Sequence, residues 1–471
     1  MLNLILDIGK SSLLSHQRAI AVTSHNIANV NTVGYSRQRA IFATRIPLDS
    51  RPGQLGTGVK IESIERIYDR FTVEQLNNAN SELEKWNAMG NALANIEAIF
   101  NEAPGFGIND ALNKFFNAWH DLANNPTGMT ERENLVSCAQ ILASRMKNIM
   151  QRLGGIKSEI NQTLDLMLGG TASLSSSGGS SINGLASELA DLNEKIFKAE
   201  IGGNNANDYR DRRDMLVRDL TAKLGATAYE DAKGNVNIQL SNGMPVVEGF
   251  FSYNVSMGAS GEILLNLGGS YVDVTSAVMA GGGTVSGLLE VRDGIIDGYM
   301  TTMDIFASEL MDQINAIHRI SFGLPPGDPA STGNDFFIGT GANDMAVNPD
   351  LLARLSLIAA SSDDGEEGNN SAAIAIAMLQ DARFAALNNS TFNDFFAALV
   401  GKVGADLNTI NSQAQQYADI VNNLENYRES ISGVNPDEEM IDLIRFQHAY
   451  EAAAKLIAVT DELYVTLLSI K

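Results

Sequence analysis

The chain has 471 residues, 44% of them apolar and 19% charged, which suits a folded protein of several domains and excludes a disordered one. Its 33 Lys and Arg face 56 Asp and Glu, a net charge of −23 that makes nucleic acid and anionic membrane unsuitable partners. No apolar run approaches the ~18 residues of a spanning helix, and the single cysteine, Cys138, leaves no intrachain disulfide.

Leu6, Leu13, Ile20 and Ile27 recur every seven residues, the period of a coiled-coil seam, and predict an N-terminal helix. Asp7 and Lys10 break its apolar start and no basic leader precedes it, unlike a secretory signal. The turn formers Asn29, Asn31 and Gly34 end the helix. Residues 41–64 read as extended or looped, punctuated by Pro47, Pro52, Gly53, Gly56 and Gly58. A long helix is expected over 65–101, where Phe71, Leu76, Leu83, Trp86, Leu93, Ile96 and Phe100 keep helical spacing.

After the PGFG run at 104–107, a short helix carries Leu112, Phe115, Phe116, Trp119 and Leu122. Thr130 and Glu133 form a capping box for the next, whose stripe runs from Leu135 through Cys138, Leu142, Met146 and Leu153 to Met167. Cys138 at a periodic position reads as a buried structural thiol. A Ser/Gly loop spans 169–184, and helix resumes on Leu185, Leu189, Leu192 and Ile196, then over 207–224.

From Ala226 to Thr275 the period falls to two, and Ser241-Asn242-Gly243 between two such runs signals a hairpin. Helix returns over 286–320, followed by a Pro-rich loop at 323–330, and a short helix is expected within 349–359. The acidic run 361–371 lacks the alternating oxygen ligands of a calcium loop and reads as a solvated loop. Helices are expected at 371–387 and 391–432, the second with Phe396, Val403, Ile410, Tyr417, Leu424 and Ile431 in a heptad seam.

The last helix, 437–470, contains no Pro or Gly and opens on Asp437, Glu438 and Glu439, which suit the positive end of a helix dipole. One apolar stripe is Leu443, Phe446, Tyr450, Ala453, Ile457, Tyr464 and Leu467; a second is Ala449, Ala452, Leu456, Val459, Leu463 and Ile470. Together they cover more of the cylinder than one neighbour hides. Residues 1–45 carry five bases against one acid, and residues 437–471 three bases against seven acids, so the ends suit pairing with each other.

The fold expected is mainly α, an elongated rod of long helices with a small inserted antiparallel β domain and the N- and C-terminal helices paired as a coiled coil. Residues 1–45 with 433–471 form the terminal assembly domain, 46–225 with 281–432 the long-helix bundle, and 226–280 the β insert. No catalytic residue, metal ligand or cofactor site is assigned. The five histidines are scattered, no nucleophile elbow occurs, and Gly9-Lys10-Ser11 has Leu4 where a phosphate-binding loop needs its first Gly.

The run SHNIANVNTVGYSRQ (24–38) resembles the N-terminal signature of bacterial flagellar axial proteins of the rod, hook and hook-associated group. ISGVNPDEEMIDLIRFQHAYEAAAKLIAVTDELYVTLLSI (431–470) is similar to the hook-associated members that join hook to filament, and the likeness extends inward through 56–71, 115–128, 209–220, 287–299 and 314–323. The resemblance implies a structural protein, not an enzyme, that self-assembles into a ring between hook and filament, outside the cell. It implies type III export without a cleavable leader, and a cytoplasmic export chaperone on the C-terminal helix. Its other partners would be the hook protein and a second junction protein or the filament side. Contacts between copies are expected at Leu6, Leu13, Ile20, Ile27, Asn29, Gly34 and Tyr35, and at Leu443, Phe446, Tyr450, Ile457, Leu463 and Leu467. Tyr35 reads first as a turn residue stacked on its own helix, with a contact between copies as the alternative. The rival readings are another rod or hook axial protein, or a surface adhesin using the β insert as its head.

Overall fold

The computed structural model describes residues 2–51, 53–100, 107–169, 181–324 and 332–469. Residues 104–106 of the PGFG run, most of the Ser/Gly loop, most of the Pro-rich loop and Ile470 lie outside them. The helices are α1 (Leu2–Ala28), α2 (Arg70–Phe100), α3 (Ile108–Asn124), α4 (Met129–Leu168), α5 (Ile182–Glu200), α6 (Asn207–Leu224), α7 (Thr275–Gly281), α8 (Gly283–Glu290), α9 (Ile296–His318), α10 (Pro349–Ala353), α11 (Ser371–Ala377), α12 (Phe392–Ser432) and α13 (Pro436–Ser469). Four strands follow α1: β1 (Gln38–Thr44), β2 (Leu48–Ser50), β3 (Gly53–Leu55) and β4 (Val59–Arg66). The chain is mainly helical with small antiparallel sheets. Tertiary contacts divide it into two compact units, Met1–Glu84, Asp165–Ser286 and Gln415–Lys471 in the first, Lys85–Leu164 and Gly287–Ala414 in the second. The division drawn from the sequence cuts the chain differently, since the terminal helices and residues 226–280 fall together in the first unit.

In the first unit the stretch read as extended or looped is a pair of hairpins. β1 and β4 pair antiparallel from Gln38↔Arg66 to Thr44↔Val59, with an irregularity between Ile41 and Phe42. β2 and β3 continue the ribbon as a second short pair. The insert holds β5 (Thr227–Glu230), β6 (Val236–Gln239), β7 (Pro245–Glu248), β8 (Phe251–Ser252), β9 (Val255–Met257), β10 (Ile263–Leu267) and β11 (Ser270–Asp273). They form an antiparallel four-stranded sheet, β5-β6-β7-β8, and a three-stranded one, β11-β10-β9. Ile238, Val246, Val247, Val255, Ile263 and Leu265 are buried between them and the helices. Asn193 of α5 is buried among these strands, donating to Val236 O and Gly249 O at 2.8 Å and accepting from Val236 N at 3.1 Å. A buried amide so satisfied orients α5 on the sheet without the cost of an unmade bond. Leu76 and Ala79 of α2 bury Val421 of α12, with Leu83 and Leu424 packed beside them.

In the second unit Phe396, Val403 and Ile410, the first three members of the α12 heptad seam, are buried. The core is aromatic. Trp119 and Phe115 lie 5.2 and 5.9 Å from Phe336, and Phe306 lies 5.8 Å from Phe392, in tilted or edge-on contacts that favour the ring quadrupoles. β12 (Phe337–Ile338) and β13 (Ala346–Val347) pair antiparallel beside it. The single helix expected over 286–320 is broken by a π-helical turn, Val291–Ile295, between α8 and α9. Cys138 is half-buried and not fully covered, because Ala139 takes the buried place in that turn of α4.

His318 is 1% exposed, with Nδ1 2.7 Å from Asn334 O and Nε2 accepting from Ala359 N at 3.0 Å, so the neutral ring satisfies both neighbours. Burial pushes its pKa down to about 4. The unfolded chain protonates at about 6.5, so stability is fully present above that pH and falls as pH drops toward 4, where the folded ring protonates too. Urea titrations should show a loss approaching about 3 kcal/mol from this group across that window, and His318→Gln should flatten the dependence.

Candidate assembly interface

α1 and α13 lie antiparallel. Tyr464 bonds to Asn3 near one end, Gly9 lies against Ile457, and Asn26 meets Glu439 at the other. A Cβ on Gly9 would stand 2.8 Å from Ile457 Cγ1, so the glycine is what allows α13 this close. The fully buried residues of α1 are Gly9, Ser15, Ala19, Thr23 and Asn26. The heptad residues Leu6, Leu13, Ile20 and Ile27 flank that strip and are half-buried. The β1–β4 ribbon also lies along α1, with Ser15 Oγ donating to Val59 O at 3.3 Å and Gly58 set against Ile8 and Ser11. His16, Phe42 of β1 and Phe446 of α13 join the three elements, with ring centroids 5.4 to 6.1 Å apart.

Polar groups close the other end. Asn26 Nδ2 donates to Gln38 O at 2.8 Å and Glu439 Oε2 at 2.9 Å, while its Oδ1 accepts from Tyr35 Oη at 2.7 Å and Gln38 N at 3.0 Å. All four hydrogen-bonding positions of the amide are used. Arg37 Nε reaches Glu439 Oε1 at 2.6 Å and Nη1 reaches Glu438 Oε2 at 2.8 Å. The side chain of Glu439 is only 3% exposed, and that of Glu438 58%.

The turn between α1 and β1 is held from below. Gly34 has φ +81, and a Cβ there would meet the Met215 side chain of α6 at 2.6 Å. Ser36 N donates to Asp211, and Arg66 Nη1 bonds both Asp211 at 3.0 Å and Asp214 at 2.6 Å while its guanidinium lies 4.2 Å from the Tyr68 ring. Burial raises the pKa values of both carboxyls against the pull of Arg66. Burial also raises the Tyr35 phenol, with Asp208, Asp211 and Glu439 adding to the shift. Asn29, Gly34 and Tyr35 thus serve the chain's own fold: Asn29 donates to His25 O, and His25 Nδ1 lies 3.0 Å from Tyr35 Oη. A polar groove of about 660 Å³, lined by Asn31, Arg37, Asp211, Arg218, Arg428 and Glu438 among others, runs beside this turn. Among the described residues no group of His, Cys, Asp and Glu has the geometry of a metal site.

The two stripes of α13 separate. Leu443, Phe446, Tyr450, Ile457 and Tyr464 are half-buried and Ala453 is buried, whereas Leu467 is 60% exposed. Leu456, Val459 and Leu463 of the other stripe are exposed, Leu463 by 49%. Ile441 and Ile444 extend that bare face toward the helix start, at 66% and 48% exposure. Sequence reasoning left out both isoleucines, although they share the three-and-four spacing of Leu456, Val459 and Leu463. It also left out Ile46, Leu48 and Leu55 on the outer hairpin, all exposed.

Residues 93–337, more than half of the chain, match the family model described as the flagellar hook-associated protein FlgK helical domain. The chain belongs to the FlgK family. Members are structural proteins of the bacterial flagellum. Two further models match the ends just described: flagella basal body rod protein over residues 6–35, and the flagellar basal body rod FlgEFG protein C-terminal model over 428–470. Flagellar hook-associated protein 1 of Bacillus subtilis (strain 168) is 27% identical, over 97% of this chain and 96% of its own. The protein of that name from Salmonella typhimurium is 23% identical over 99% of this chain and 100% of its own. The solved structure of the flagellar hook junction protein FlgK from Burkholderia pseudomallei shares the fold, with TM-score 0.62 at 15% identity over 76% of this chain and 100% of that one.

Replacing Arg37 by Ala would leave the Glu439 carboxylate buried with Asn26 as its remaining side-chain partner. The expected cost is about 3 kcal/mol, read as a lower denaturation midpoint of the full chain. Glu438→Ala, which removes the exposed member, should cost under about 1 kcal/mol.

Proposed function

We propose that this FlgK-family chain forms the junction between flagellar hook and filament, and that copies assemble side by side through their terminal helices. The observation that carries the reading is the second face of α13. Its apolar residues, Ile441, Ile444, Leu456, Val459 and Leu463, stay in water although the helix is already paired with α1, and Leu467, at the end of the first stripe, is bare as well. A row of exposed apolar side chains of that length, interrupted by Arg445 and His448, marks an interaction site. Its burial, at about 25 cal/mol per Å², would favour association against the cost of ordering. The full-length likeness to proteins named flagellar hook-associated protein 1 supports placing that association at the hook–filament boundary.

In this reading the partners are further copies in the ring, the hook protein on one side and a second junction protein or the filament on the other. The chain is exported by the flagellar type III route and acts outside the cell. Before export the bare face of α13 is the surface for a cytoplasmic chaperone, since it is apolar, helical and exposed among the described residues. The role is mechanical and calls for no chemistry at a reactive side chain.

Leu463→Asp should therefore leave the fold intact, shifting stability by no more than about 0.5 kcal/mol because the side chain touches water already. It should also abolish junction assembly. Denaturation midpoints and swimming assays of a strain carrying only this variant would decide, and normal motility would sink the reading. Ile20→Asp, half-buried on α1, should cost folding stability as well as assembly.

A further inference from the structure

Two bare apolar surfaces of the terminal region differ in form. One is the tip of the ribbon, where Ile46, Leu48 and Leu55 on and beside β2 and β3 are 89%, 54% and 40% exposed. The other is the exposed end of α13, where Val459 and Leu463 of the outer stripe adjoin Leu467, the bare last member of the first stripe. The root of the tip and the end of α13 lie toward the same end of α1. Gly58, just past the tip, lies on Ile8 and Ser11 of α1, and Asn3 of the same end is bonded to Tyr464 of α13. They are nevertheless apart within one chain, since the ribbon packs on α1 and the stripe is the face of α13 turned away from α1.

Their charges are complementary. Residues 45–60 carry Arg45, Arg51 and Lys60 against Asp49, and residues 451–468 carry Glu451, Asp461 and Glu462 against Lys455. Arg45, Arg51 and Glu462 have no ion-pair partner among the described residues. Glu451 and Glu462 border one edge of the bare stripe, 100° being the turn per helical residue. The edges of a short two-stranded ribbon are also open to further contact.

We propose that the β2–β3 hairpin of one copy seats on the outer face of α13 in the next, with Ile46, Leu48 and Leu55 against Val459, Leu463 and Leu467 and Arg45 and Arg51 beside Glu451 and Glu462. The proposal rests on the reading that copies assemble through their ends. Because the two patches differ, the contact is head-to-tail: each copy keeps one free hairpin and one free helix face until the last copy meets the first. That geometry closes a ring where the rotation between copies permits. It also gives the ring a single handed direction, which a self-complementary contact cannot do.

The test uses full-length chains in a Cys138→Ser background. One carries Ile46→Cys and the other Leu463→Cys, and the two are co-expressed in a strain lacking its own copy. Flagella are isolated and oxidised with copper phenanthroline. A disulfide-linked pair holding one chain of each type, absent when either variant is expressed alone, is the expected result. Motile cells whose flagella give no mixed pair, or give Leu463→Cys linked to itself, would overturn the hairpin seating and leave assembly through the ends standing. Normal motility of Leu463→Asp strikes instead at that underlying reading, and the seating falls with it. A second arm avoids cysteine: Arg45→Glu with Arg51→Glu should lose motility while the chain stays folded by circular dichroism, and adding Glu451→Arg with Glu462→Arg to the same chain should restore it. Absence of restoration counts against the proposal.

Discussion

The carboxylate of Glu439 is a buried charge that two residues from the other end of the chain hold in place. Asn26 lies 413 positions away along the sequence and Arg37 402, yet both bond it directly. A buried carboxylate is costly unless paired and hydrogen-bonded, so this one tolerates only the arrangement in which α1, the turn after it and the start of α13 meet. Tyr35 and the backbone of Gln38 use the remaining positions of Asn26, and Arg66 with Asp211 and Asp214 supports the turn from α6. The register of the terminal pair is thus set by polar chemistry at one end, while small residues such as Gly9 and Ala19 set how close the helices come.

That arrangement explains why α13 has apolar surface to spare. With the close packing on α1 done by one face, the residues of the opposite face stay exposed among the described residues. A helix apolar on two sides normally lies deep in a core. Here it is bare along one side, and that bare side is the surface on which the proposed assembly rests. The ribbon β1–β4 has a parallel place on α1: its stem is packed and its tip is not.

The second unit is stabilised on different grounds. Phe115, Trp119, Phe306, Phe336 and Phe392 form a closed aromatic core, and the buried cation Arg132 donates to the carbonyls of Pro126, Leu355 and Ile358. Burial pulls its pKa down to about 10, still far above neutrality, so it remains charged and the three carbonyl bonds compensate its desolvation.

Periodicity by itself was enough for the long helices, the β insert, the hairpin at Gly243 and the two stripes of α13, because each depends on spacings within one segment of chain. The acids Asp437, Glu438 and Glu439 were legible as a helix start, but not that Glu439 would be buried by Asn26 and Arg37. Heptads at Leu6, Leu13, Ile20 and Ile27 pointed to the correct helix and to its flank, not to the small residues that became its centre. Which stripe of α13 is covered, whether Asn29, Gly34 and Tyr35 turn inward, and that residues 38–66 fold as a ribbon along α1 were decided by tertiary contacts alone. The physical reason is that burial and ion pairing depend on neighbours hundreds of residues distant, whereas helical and strand periods are written into adjacent ones.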